Sequence, residues 1–130
     1  MARPVTTRLP KPTAAELEIL QTLWRYGPQT VRQVHERLGG RGYTTVLKLM
    51  QIMADKGLVD RDESSRAHIY RPRLARRRTQ TRLVRDLLDR VFSGSAARLV
   101  QQALATRRAS KEELAEIRRM LDRYEGGEQA

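Results

Sequence analysis

The sequence predicts a mainly α-helical chain with one small β-hairpin. It reads as a winged helix-turn-helix N-terminal domain followed by an α-helical C-terminal dimerisation region. Three observations predict this. Three short segments with apolar residues at helical spacing occupy residues 13–57, each closed by glycine. Two short alternating runs follow directly, at Leu58 to Asp62 and Ala67 to Arg71. Beyond residue 78 only helical periodicity returns, and the charge changes. Residues 1–78 hold 16 Lys+Arg against 7 Asp+Glu, whereas residues 79–130 hold 10 against 8.

The first helix starts at Thr13. Thr13 and Glu16 have capping-box spacing, each side chain satisfying a free backbone N–H. Leu17, Leu20 and Trp24 recur at helical spacing with Ile19 and Leu23 beside them, and Gly27-Pro28 stops the helix. Thr30 and Gln33 form a second capping box. Val31, Val34 and Leu38 give the second helix its stripe, and Gly39-Gly40 end it. The third helix starts after Gly42 and ends at Gly57. Its inward face is Val46, Leu49, Met50 and Met53, at i, i+3, i+4 and i+7. The hairpin turns at about Glu63-Ser64-Ser65-Arg66. Pro72 ends the second strand because it has no N–H to extend a ladder. Trp24, Tyr70 and the methionines read as core.

Residues 1–12 are polar and proline-rich and read as a flexible arm, without the apolar run of a signal peptide. Residues 13–72 form the winged-helix domain and 73–78, RLARRR, a basic joint. Residues 79–125 are the helical region. Leu83, Val84, Leu87, Leu88 and Val91 make one stripe ending near Gly94. A short helix carries Leu99, Val100 and Leu104. Ser110 and Glu113 have capping-box spacing ahead of a last stripe of Leu114, Ile117 and Leu121. Residues 126–130 read as a frayed tail. About 50 residues rarely bury enough surface to stand alone. Leu83, Leu87, Val91, Leu114, Ile117 and Leu121 are therefore expected to close against the same helices of a second copy. The alternative is that they fold back on the N-terminal part.

Composition narrows the function. The net charge is +11 and the pI about 11.1, which favours a polyanion, nucleic acid before an anionic membrane surface. With no cysteine, thiolate metal sites and disulfides are excluded, which suits a reducing cytoplasm. No run approaches the length of a membrane span. His35 and His68 sit on different elements and no nucleophile sits in a catalytic motif, so an enzyme is not expected, nor a metal or cofactor.

A third helix that turns Val46, Met50 and Met53 inward must turn Thr44, Thr45, Lys48 and Gln51 outward. The N-terminal end of such a helix enters the major groove, and its free N–H groups favour phosphate. Threonine hydrogen-bonds base edges and touches thymine methyls, and lysine reaches guanine or phosphate. Arg41 and Tyr43 flank the helix start, within reach of the backbone. Arg66, at the wing tip, and His68, on its second strand, lie where a neighbouring phosphate would be. His68 reads otherwise as an exposed strand residue.

The run YTTVLKLMQIMADKGLV, followed by RAHIYRP and preceded by TAAELEILQTLW, resembles the penicillinase-repressor family (the BlaI/MecI group) of bacterial winged-helix regulators. The resemblance covers roughly residues 10–125. It implies homodimers formed through C-terminal helices, palindromic operators with TACA/TGTA-type half-sites, and repression of transcription. Two departures stand out. Penicillinase repressors proper are inactivated by cleavage at an Asn-Phe bond, where this chain has Gln102-Ala103. That leaves control by a sensor protease open. Copper-responsive relatives sense metal through cysteines, which this chain lacks.

The expected function is a cytoplasmic, homodimeric, sequence-specific repressor on double-stranded DNA. The alternative is an RNA- or ribosome-associated basic protein. RNA readers display aromatic stacking platforms, and the six aromatics here speak against that.

Overall fold

The computed structural model describes residues 11–127. Its order is three helices, a hairpin and three helices: α1 (Ala14–Tyr26), α2 (Val31–Leu38), α3 (Tyr43–Lys56), β1 (Val59–Asp62), β2 (Ile69–Pro72), α4 (Arg76–Val91), α5 (Ala96–Thr106) and α6 (Lys111–Glu125). The flexible arm expected at residues 1–12 lies, up to residue 10, outside the described residues, as does the end of the tail. The chain divides into two compact units between Val84 and Arg85, inside α4.

In the first unit the local signals act as expected. Thr13 and Thr30 each make the full reciprocal capping box, with Glu16 and Gln33. Gly57 closes α3 with φ 84° and ψ 15°, a left-handed turn that favours glycine. Its N–H caps Ala54 and Met53, and the chain passes straight into the hairpin. Strands β1 and β2 pair antiparallel, Val59 opposite Pro72 and Asp62 opposite Ile69. Gln29 adds a third, one-residue rung. Its N–H donates to Tyr70 O (3.0 Å) and its C=O accepts from Tyr70 N (2.8 Å).

One core fills the space between α1, α2, α3 and the hairpin. It comprises Ile19, Leu20, Leu23, Val31, Val34, Val46, Met50, Met53, Leu58, Val59 and Tyr70, with Trp24, Leu38, Leu47 and Leu49 packed on its edge. Burying one such side chain contributes about 1.5–3 kcal/mol. Trp24 donates its indole N–H to Leu74 O (3.0 Å), tying the chain after the wing to α1. Glu16, expected only as a cap, is 2% exposed and accepts from Lys56 Nζ at 2.7 Å, joining the start of α1 to the end of α3.

Four expectations are corrected. The second strand begins at Ile69, not Ala67, because Ser64 N–H bonds Asp62 Oδ1 (2.9 Å) and opens a longer loop, residues 63–68. His68 therefore stands on that loop, not on a strand. Helix α4 starts at Arg76, inside the segment expected to be a joint. The carbonyl of Ala75 caps Arg78 and Thr79, and Thr79 is buried. Leu49 is only half-buried, at the flank of the α3 inner face. The Ser110–Glu113 box is half-formed: Ser110 Oγ accepts from Glu113 N at 3.0 Å, and no reciprocal bond joins it.

In the second unit no described residue is buried. Leu87, Val91, Val100, Leu104, Met120, Leu121 and Tyr124 are exposed. Ser95 caps α5, a cap the spacing did not reveal. Among the described residues no helix is long and apolar enough to cross a membrane.

Candidate nucleic-acid interface

The outer face of α3 follows from its inner one. With Val46, Met50 and Met53 fully buried, a rotation of 100° per residue turns Thr44, Thr45, Lys48 and Gln51 to the far side, and all four are exposed. None of their side chains makes a hydrogen bond or ion pair within the described residues. Gly42 caps α3 without a side chain, so the first N–H groups of the helix are left to solvent. The result is a row of uncommitted donors and hydroxyls with one cation, at the positive end of a helix dipole.

The flanking residues differ among themselves. Tyr43 is 44% exposed and meets His35 of α2 edge to face, 5.8 Å between ring centres. The contact fixes the mutual position of the α2 and α3 turns. Arg41 is engaged: Nη1 donates to Glu18 Oε1 at 2.7 Å, with a second bond at 3.5 Å. The hydrogen bond and the charge of Glu18 raise its pKa further. Part of the Arg41 charge is thus neutralised from within.

The wing repeats this pattern. Arg61 Nε donates to Glu63 (2.8 Å), Arg73 to Asp60 (2.7 Å), and Arg71 stands 3.8 Å from Asp62. Hydrogen bonds that Arg61 donates to Tyr70 and Glu63 raise its pKa, while those donated by Ser64 lower that of Asp62. Arg66 and His68, on the loop between the strands, are exposed and make no such pair. The hairpin therefore carries its uncommitted basic groups at its tip.

Other cations were not singled out by the spacing. Arg32 is exposed on the first turn of α2. Arg37 lies 3.8 Å and Arg25 5.4 Å from the ring centre of Tyr26. Arg76, Arg77 and Arg78, by contrast, belong to the segment read from the sequence as a basic joint, and they are exposed on the first turn of α4. A partner eleven residues away, as Tyr26 is from Arg37, leaves no periodic trace. Of the residues expected at a dimer contact, Leu87, Val91 and Leu121 are exposed, while Leu83, Leu114 and Ile117 are half-buried. Among the described residues no group of three His, Asp or Glu is placed to hold a metal ion.

Comparison with known proteins shows the family. The family model described as "Penicillinase repressor" matches residues 12–123. The chain is 36% identical over 116 residues to proteins named "Transcriptional regulator BlaI" from two Mycobacterium tuberculosis strains, CDC 1551 / Oshkosh and H37Rv. The match covers 86% of this chain and 83% of each relative. Among solved structures, the solution structure of the DNA binding domain of the repressor BlaI is similar with a TM-score of 0.48 at 19% identity. It covers 55% of this chain and 90% of that one.

Proposed function

This chain belongs to the penicillinase repressor family, and from that premise we propose that it represses transcription as a homodimer on a palindromic operator in the cytoplasm. Its family is one of transcriptional regulators and not of enzymes. One observation carries the reading of the site. Arg41, Lys56, Arg61 and Arg73 are held by internal acids, whereas Thr44, Thr45, Lys48 and Gln51 stand together on one helix face with none. Such a face costs nothing to offer to a groove, since no internal bond has to break.

The roles divide accordingly. Thr44, Thr45, Lys48 and Gln51 read base edges. Tyr43, Arg66 and His68 contact the backbone on either side, and Arg41 adds a weaker contact because Glu18 already shares its charge. The dimer supplies the second recognition helix, one DNA turn of about 34–36 Å or a multiple away. Exposed Leu87, Val91 and Leu121, in a unit without a buried residue, support closure against a second copy.

Footprinting on the DNA upstream of its own gene tests the reading. A protected region with two-fold symmetry is expected, with duplex DNA preferred over structured RNA at equal salt. With about six to ten phosphate contacts per dimer, the log–log slope of affinity on salt is about −5 to −9. A slope near zero, or preference for RNA, refutes it.

A further inference from the structure

The contact of Arg37 with Tyr26 is more than a chance stacking. Its guanidinium carbon lies 3.8 Å from the ring centre, and its Nε donates to Gln29 Oε1 at 3.0 Å. Gln29 is itself immobilised. It is 3% exposed, and its Nε2 donates to Thr22 O (3.0 Å) and Gly27 O (3.2 Å). Its backbone is the rung paired with Tyr70. A buried amide with every strong donor and acceptor placed thus fixes the inner edge of the guanidinium, and an aromatic ring fixes its plane.

The outer edge is left over. Arg37 is exposed, and neither Nη group has an acidic partner among the described residues. Arg25 sits over the same ring, 5.4 Å from its centre, likewise without an acidic partner. Two like charges gathered on one ring with no counter-charge repel each other. A planar guanidinium held in this way matches an oxyanion with two parallel N–H···O bonds, and little rotamer freedom is lost on binding.

Its position indicates which oxyanion. Arg37 and His35 leave α2 about 200° apart, on opposite flanks. His35 touches Tyr43 at the start of α3, so Arg37 is on the flank turned from the recognition helix. In a helix-turn-helix the helix before the recognition helix crosses the DNA backbone. The Tyr26–Gln29 turn enters that helix and holds the guanidinium beside it.

We propose that Arg37, pre-set by Gln29 and Tyr26, clamps a DNA phosphate beyond the groove that α3 enters, with Arg25 adding charge. The proposal rests on the DNA-binding reading above. It assigns a positioning contact that sets where α3 lands and reads no base itself.

The test uses the full chain with specific and non-specific duplexes across a salt series. Arg37→Gln is expected to flatten the log–log salt slope by about 0.9 per protomer. It should weaken specific and non-specific binding by the same factor, about tenfold or more near 0.1 M salt. Arg37→Lys keeps the charge but not the fork. It should retain the slope and still lose several-fold in affinity. Tyr26→Leu, which frees the guanidinium without removing it, should do the same. Thermal melts followed by Trp24 accompany each variant. If Arg37→Gln unfolds the domain, the Lys and Leu variants decide. Wild-type slope and affinity in Arg37→Gln overturn the clamp, as does wild-type affinity in both of the others. If the wild-type protein itself binds no duplex DNA, the functional reading falls and takes the clamp with it. Wild-type binding with indifferent variants sinks the clamp alone.

Discussion

Replacing Lys56 by Met removes the cation from the ion pair that joins the start of α1 to the end of α3. Glu16 is 2% exposed, and the same oxygen, Oε1, accepts from Lys56 Nζ (2.7 Å) and from the Thr13 N–H (2.9 Å). Without Lys56, the carboxylate stays buried with one cap bond. Removing one partner of a buried pair costs about 3–5 kcal/mol. The Lys56 side chain is 27% exposed, so water can enter its place, and about 2–3 kcal/mol is expected. For a domain of this size that lowers Tm by roughly 10–20 °C. Glu16→Gln keeps an acceptor for Thr13 and leaves Lys56 to solvent, so it costs about 1 kcal/mol. The double variant should resemble Glu16→Gln alone.

The dependence on pH carries the sharper sign. Burial raises the Glu16 pKa, but the bonds from Lys56 and Thr13 together outweigh it, and the folded value lies below the usual 4.5. The pair's stabilisation is therefore full above pH 4.5 and is lost as pH falls through the lower, folded pKa. In Lys56→Met the two lowering contributions of Lys56 are gone, so the folded pKa lies higher than in the wild type and protonation costs the fold less. The gap between wild type and this variant should narrow on acidification from pH 7 to 4. Trp24, the only tryptophan, reports the first unit in urea and thermal melts. A Lys56→Met protein that melts within 2 °C of wild type (roughly 0.5 kcal/mol or less), or a gap that widens toward pH 4, would refute the reasoning.

Further outcomes follow from the same geometry. Thr45→Ala should lose about 1–3 kcal/mol of specific binding per base contact removed while non-specific binding holds. Arg66→Ala should weaken both alike, and equal behaviour of the two in gel-shift titrations would show the helix and wing roles to be mis-sorted. Leu87→Asp and Ile117→Asp, made separately, should each yield monomers in sedimentation with Trp24 fluorescence unchanged, since a carboxylate buried between two copies costs several kcal/mol. A Leu87→Asp dimer that binds a palindrome normally ends the dimer model. Thr22 is 7% exposed and its Oγ1 has no hydrogen-bond partner. Thr22→Val should therefore leave stability unchanged or raise it by about 1 kcal/mol, and a clear drop in Tm would show the hydroxyl to be satisfied.

Sequence alone determined the features that depend on neighbours along the chain. Two of the three capping boxes close as their spacing requires, because both partners lie within one helical turn. Inward Val46, Met50 and Met53 imply outward Thr44, Thr45, Lys48 and Gln51, because a helix has a single rotation per residue. Tertiary structure decided which charges are spoken for. Arg41 meets Glu18 across 23 residues, Lys56 meets Glu16 across 40, and Arg73 meets Asp60 across 13. Those pairings depend on distances that exist only once the core has closed. In the sequence Arg41, Arg66 and Arg37 are alike. The fold ties the first to an acid, leaves the second at the wing tip, and holds the third between a tyrosine and a buried glutamine. The hairpin loop and the start of α4 moved for the same reason: an Asp62–Ser64 bond and a buried Thr79 outweigh the alternation and the run of arginines.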